Sequence, residues 1–317
     1  MKAATRDRYG SPEVVRVSDV PLPEPAADQV RIAIRATSIN ASDIEYLTGQ
    51  PAYVRATGWN VPKCSILGSD IAGTIDALGS QVTGWQLGDE VFGDFLFTWG
   101  GFAEYACVPA KALHPKPAEL SFEQASTLPQ AGLVALQSLR DVDPVQSGQR
   151  VLINGAGGGS GSFAIQLAKA AGAEVTAVDT AAKAEFMLSL GADHVIDHRT
   201  QDFATTGPYE RIVDLIAQRS HFAVRRALAA QGRYLVVGGS VPRLLQAFTL
   251  GPLLSFGSKK SGLFIARSNE DMLALLTEIR TRQVRPIIDR TFPLTETAEA
   301  LRYVYEGRSL GKVVVTV

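Results

Sequence analysis

The stretch Ile153 to Gly161, INGAGGGSG, places five glycines and one alanine within nine residues. Glycine at that density either makes a flexible turn or lets backbone amides approach a phosphate group closely. Its surroundings separate the two readings. The apolar run RVLI leads into the glycines, and SFAIQLAKAAGAEVTAVD follows, with Phe163, Leu167 and Ala170 on one side of a predicted helix. A second apolar run then ends at Asp179, about 20 residues beyond the glycines, where a carboxylate accepts hydrogen bonds from the adenosine ribose of a dinucleotide. Gly157, Gly158, Gly159, Ser160 and Gly161 are therefore candidate pyrophosphate ligands, and Asp179 is the candidate ribose ligand. The window AGGGSG departs from the usual fingerprint by opening on alanine.

A carboxylate at Asp179 repels a 2′-phosphate, so NAD(H) is favoured over NADP(H). Lys183, one helical turn on, has two readings: a cation that compensates a 2′-phosphate, or an exposed helix lysine. Cys64 and Cys107 are the only cysteines and belong to no CxxC or Cys/His cluster, so they read as buried, inert thiols. His194 and His198 are four apart, but HVIDHRT reads as a strand running into a loop, and no metal site is expected.

These residues need a scaffold. From Arg150 onward, short apolar runs (RVLI, EVTAV, HVID, RIVDLI, RYLVV) alternate with helix-length segments, the pattern of a doubly wound parallel sheet. Before Ser121 the chain reads as β: DQVRIAIRAT alternates with Val30, Ile32 and Ile34 on one face, and turn signals recur at short intervals. That predicts a compact antiparallel barrel or sandwich. Residues 269–283 read as a helix, GKVVVTV as a closing strand, and segments 50–64 and 242–260 as loops.

The bulk numbers limit the partners. Lys+Arg number 31 against Asp+Glu 32 in 317 residues, with no basic run interleaved with aromatics, so nucleic acid is not an expected partner. No signal-like or membrane-spanning apolar stretch is present, which points to a cytoplasmic location away from membranes.

Together the segments SINASD, LGSDIAGTI, LGDEVFG, GGFAEYACVP, NGAGGGSGSFAIQLAKAAGAEV, LGADHVID and GKVVVTV resemble the medium-chain dehydrogenase/reductase superfamily, and within it the zinc-independent quinone oxidoreductase-like branch. The resemblance runs over nearly the whole chain. It implies an α/β protein with a GroES-like β-barrel catalytic domain (1–125, completed by 266–317), a Rossmann doubly wound parallel-sheet domain (126–265), and a cleft where they meet. Asn40 and Ser69-Asp70 stand where the alcohol dehydrogenases of the superfamily carry a cysteine and a His-Glu pair around catalytic zinc. An amide and a hydroxyl do not replace thiolate and imidazole.

Hydride transfer from a reduced nicotinamide to a quinone or α,β-unsaturated carbonyl is the chemistry that remains. Asn40 is then a candidate donor to a carbonyl or a structural amide, and Tyr46 a candidate proton donor, stacking wall or packing residue. The resemblance also places Lys312 near the cofactor phosphates with Asp70 as its partner, the alternative being two unrelated surface charges. It puts Gly238 and Gly239 where a backbone approaches the cofactor or simply turns. Lys260 is either a phosphate ligand or an edge-strand lysine, on a strand that pairs across the two-fold axis of a homodimer. An enoyl-thioester reductase and a non-catalytic nucleotide-binding redox sensor are the competing readings.

Overall fold

The computed structural model describes residues 1–141, 143–255 and 258–317, with the side chains of 57 and 252–254 outside that description. The chain forms two units, one comprising 1–130, 268–272 and 286–317, the other 131–267 and 273–285.

The first unit is organised around the strand Gln29–Ser38, which pairs antiparallel with Asp70–Leu78, Tyr105–Pro109 and Lys312–Thr316. Its alternation is the one the sequence predicts: Val30, Ile32 and Ile34 are at most 3% exposed and pack with Ile71, Ile75 and Val91. The strand Lys312–Thr316 also pairs with Ile288–Pro293, in parallel, so the sheet is not antiparallel throughout. Helix α1 (Ala41–Thr48) follows the central strand directly and ends at Gly49, whose φ of 68° is the left-handed conformation of a helix C-terminus.

The second unit holds six parallel strands: β1 (Arg150–Asn154), β2 (Glu174–Asp179), β3 (His194–Asp197), β4 (Tyr209–Asp214), β5 (Leu228–Val236) and β6 (Lys260–Leu263). Their spatial order is 3-2-1-4-5-6, the order of a Rossmann sheet. Val151, Leu152 and Ile153 of the central strand are fully buried, which is why β1 reads as an unbroken apolar run. Helix α2 (Leu133–Arg140) precedes the sheet, and α3 (Gly159–Ala170) follows β1, burying Phe163, Ala164, Leu167 and Ala168.

Two expectations need correction. Most of 242–260 is not a loop: Val241–Leu254 is a helix, α4, because its Pro242 falls in the first turn, where a missing N–H is harmless. Phe256 and Gly257, within the same stretch, lie outside the described residues. Helix α5 (Met272–Arg282), from Leu273 on, and residues 283–285 belong to the second unit rather than to the C-terminal return. Leu275 packs so closely on α2 that a Cβ on Gly132 would lie 2.5 Å from its Cδ2, and the backbone of Arg285 exchanges hydrogen bonds with the Gln166 side chain. Among the described residues no helix is long and apolar enough to cross a membrane.

Candidate functional site

The glycine turn is held from both sides. Gly155 takes φ +85°, and the N–H groups of Gly155 and Ala156 donate to the carbonyl of Val178 on β2. Below it, Asn154 Nδ2 donates to Asp214 Oδ1 at 2.7 Å and the Tyr234 hydroxyl to Asp214 Oδ2 at 2.9 Å, a buried triad that ties β1, β4 and β5 together. Burial pushes the Asp214 carboxyl up to about 6.

Close approach to backbone makes Gly161 obligatory, and Gly157 lies under a lysine side chain. A Cβ on Gly161 would lie 2.4 Å from Gly155 O, and one on Gly157 would lie 2.4 Å from Lys183 Cδ. The N-cap of α3 is Gly158, with no capping side chain, so the N–H groups of Gly159, Ser160 and Gly161 at its positive end have no intrahelical acceptor. Three free amides at a helix N-terminus, beside a turn with no room for a side chain at Gly161, fit a dinucleotide pyrophosphate.

Asp179 ends β2 beside this loop. Its Oδ2 accepts from Gly157 N at 3.0 Å and its Oδ1 from Thr180 N at 2.8 Å, which leaves lone pairs on both oxygens for ribose hydroxyls. Lys183 is not an exposed helix lysine. It is 8% exposed, lies over Gly157, and holds its Nζ 3.8 Å from Asp179 Oδ2.

Four other residues are expected near the cofactor, and of these Lys260 lies away from the glycine turn. Gly238 and Gly239 follow β5 and press against the segment after β4, which also flanks Gly155 of the turn: Cβ atoms on them would lie 2.7 Å from Leu215 O and 2.4 Å from Ala217 O. Lys260 begins β6, in register with Arg233, which is level with Arg211 and so with Val151 at the start of β1. It therefore lies at the opposite end of the sheet from the glycine turn, with its Nζ donating to Ser255 O at 2.8 Å; an edge-strand lysine is the reading that fits. Lys312 belongs to the first unit and is sealed there, 2% exposed.

Lys312 and Asp70 are paired, as the resemblance implies, but as buried partners inside one unit: Nζ and Oδ2 are 3.8 Å apart. The lysine also donates to Ile39 O at 3.0 Å and to Asn40 Oδ1. Because a lysine only donates, the Asn40 atom facing it must be the oxygen, and the NH2 group is turned toward Ser69, 3.4 Å from its Oγ. Asn40 is also the N-cap of α1, where Asp43 Oδ2 accepts from its backbone N–H at 2.8 Å and Oδ1 accepts from Gly68 N at 3.0 Å.

Asp94 completes the cluster, accepting from Leu96 N and Ser268 Oγ. Three buried carboxylates thus surround one lysine. Burial pushes Asp43 up to about 6, raises Asp70 and Asp94, and lowers Lys312. Oδ1 of Asp70 has no hydrogen-bond partner.

Tyr46, on α1, lines a half-open cavity of about 580 Å³ within the first unit, its ring 4.7 Å from that of Trp99 at 51°. Burial, with Glu45 nearby, raises the Tyr46 phenol, so it stays protonated. Cys64 lines the same cavity, and both cysteines are only half-buried, unlike the inert core thiols expected.

The sequence matches two family profiles, "Alcohol dehydrogenase GroES-like domain" over residues 26–118 and "Zinc-binding dehydrogenase" over 190–315. It is 32% identical to the 2-methylene-furan-3-one reductase of Solanum lycopersicum over 99% of this chain and 79% of the relative. The structure of the quinone oxidoreductase from Coxiella burnetii superimposes with a TM-score of 0.87 at 30% identity, over 100% of this chain and 99% of that one. The chain belongs to the medium-chain dehydrogenase/reductase superfamily. It is a quinone oxidoreductase-like member, an oxidoreductase with a GroES-like and a Rossmann domain. The mitochondrial NAD(P)H oxidoreductase RTN4IP1 of Bos taurus is 28% identical over 100% of this chain and 89% of its own.

The profile name raises the question of zinc, and the donor set answers it. At the positions of the superfamily's catalytic zinc ligands this member has Asn40, committed to Lys312 and Ser69, and Asp70, committed to Lys312. Among the described residues no three His, Cys, Asp or Glu side chains are grouped to hold a metal, so these residues do not fit a zinc ion.

Asp43, Asp94, Asp214 and Arg6 are the site residues that sequence reasoning passed over. Asp43 carried a signal, three residues after Asn40 at capping-box spacing. The others carried none.

Proposed function

We propose that this protein transfers hydride from NAD(P)H to a quinone or α,β-unsaturated carbonyl without a metal ion. The observation that carries the reading is the orientation of Asn40: Lys312 fixes its carbonyl end, so that of the two NH2 hydrogens one faces Ser69 and the other is left to donate to an acceptor oxygen where zinc would otherwise polarise it. A bound nicotinamide supplies the hydride. The amides of Gly159, Ser160 and Gly161 at the α3 N-terminus hold the pyrophosphate, and Asp179 holds the ribose. The Asp179 carboxylate favours NAD(H); Lys183 beside it tempers that preference.

Tyr46 and Trp99 supply an aromatic wall for a conjugated acceptor. An acceptor already electron-poor needs orientation and hydrogen bonds rather than a Lewis acid. The name of the tomato relative supports an enone-type acceptor.

Following NADH and NADPH oxidation at 340 nm with naphthoquinones, enones and enoyl thioesters tests the reading. Turnover with quinones or enones is expected to survive dialysis against EDTA, and no turnover with any acceptor despite cofactor binding overturns it. We also propose a homodimer paired through the edge of β6, to be read as twice the chain mass by light scattering.

A further inference from the structure

We propose that the cavity beside Tyr46 takes a ligand bearing an anionic oxyacid group, recognised by Arg6, on a flat unsaturated skeleton. The inference rests on the reductase reading only in identifying that ligand with the acceptor.

Arg6 is 5% exposed, yet no carboxylate of the described residues lies within ion-pair distance of it. Its Nε donates to Cys64 O at 3.3 Å, and its Nη1 donates to the carbonyls of Tyr46 and Leu47. All three acceptors are neutral. No protein acceptor among the described residues takes up Nη2, and the guanidinium lines the cavity wall. Burial lowers the proton affinity of Arg6, but a guanidinium remains charged in proteins. Asp43 acts on Arg6 through space but makes no ion pair with it, and a buried guanidinium with an unfilled donor edge is costly until an acceptor meets that edge.

The rest of the cavity agrees in sign and shape. Lys63 lines it and no Asp or Glu does. Tyr9, its ring 5.3 Å from the Arg6 guanidinium, and the Tyr46–Trp99 pair line it with aromatic rings. A volume of about 580 Å³ suits a small molecule of one or two fused rings. A carboxylate or phosphate ester meeting the free edge of Arg6 gains a charge-assisted hydrogen bond that no neutral acceptor matches.

The test is calorimetric titration of the whole protein with 2-naphthoate, 1-naphthyl phosphate and 2-naphthalenemethanol. At least one anion is expected to bind ten-fold or more tighter than the alcohol, with the gap narrowing as salt rises; the better of the two anions identifies the oxyacid. Arg6→Gln is expected to abolish the gap and Arg6→Lys to restore part of it. Equal affinity for alcohol and anions in the wild type overturns the proposal, as does an unchanged gap in a folded Arg6→Gln variant. If Arg6→Gln does not fold, the wild-type comparison and its salt dependence decide.

Turnover in the same preparations separates the two readings. Reduction of neutral enones without anion preference overturns this inference alone, whereas anion binding without turnover of any acceptor overturns the reductase reading and leaves the anion site standing.

Discussion

The glycine turn and the buried acid cluster are both polar constructions, built from different material. The first uses backbone: free amides, a helix terminus and a position, Gly161, where even a methyl group collides, all within a short run of sequence plus Asp179 and Lys183. The second uses side chains from separate segments, with Asn40, Asp43, Asp70, Asp94 and Lys312 closed off from solvent. A backbone site tolerates most side-chain changes but no added bulk at its contact points. A side-chain cluster tolerates bulk poorly and loss of charge worse, because each member compensates another.

Substitutions test that contrast. The largest effect is expected from Lys312→Met, which leaves the buried carboxylates without their cation and costs about 3–5 kcal/mol of stability by denaturant unfolding. A loss below ~1 kcal/mol would show that the cluster does not depend on its charge. Gly161→Ala should weaken NADH binding about 100-fold in a fluorescence titration, near 2.7 kcal/mol, while circular dichroism stays that of the wild type. Unchanged affinity would remove the turn from the cofactor site.

Glu45→Gln tests burial without compensation. Burial alone pushes the Glu45 carboxyl up to about 7, so the folded state holds a proton that the unfolded state releases near 4.5. Stability from that group is therefore present at low pH and lost as pH rises from about 4.5 to 7. The glutamine variant should be about 2 kcal/mol more stable than wild type at pH 8 and level with it at pH 4. A gap that does not grow with pH refutes the assignment.

The smallest effect is expected at Asp179→Ser, which should move the NADPH/NADH preference about ten-fold toward NADPH, or 1.4 kcal/mol. An unchanged ratio would mean that Lys183 already neutralises the carboxylate.

What the sequence made legible follows the same division. The glycine turn, α3 and Asp179 are contiguous, and their spacing is a consequence of strand and helix geometry, so residue types alone exposed them. Asn40 and Ser69 acquired meaning only through resemblance, since nothing in SINASD or LGSDIAG predicts which distant residue faces them. The pairing of Lys312 with Asp70 was expected, but its burial was not, because burial depends on how the returning C-terminal strand inserts.

Lys260 was misplaced for a related reason. A lysine before a strand is visible in sequence, but which end of the sheet it reaches depends on register and direction. Arg6 sits in the charged string TRDRYG, which looks like solvated surface until the fold folds it inward. The helix α4 was hidden by Pro242, Gly251 and Pro252, which read as loop markers when their position within a helical turn is unknown.

The insertion of Lys312–Thr316 between two strands of the first unit has a consequence for synthesis. A ribosome delivers Asp43, Asp70 and Asp94 early and their cation near the end, after the whole second unit has been made. The nascent first unit therefore carries three acids awaiting one lysine, and it cannot lock until that strand threads home. All residues of the second unit are synthesised before that strand, so it can fold while the first unit still lacks its closing strand.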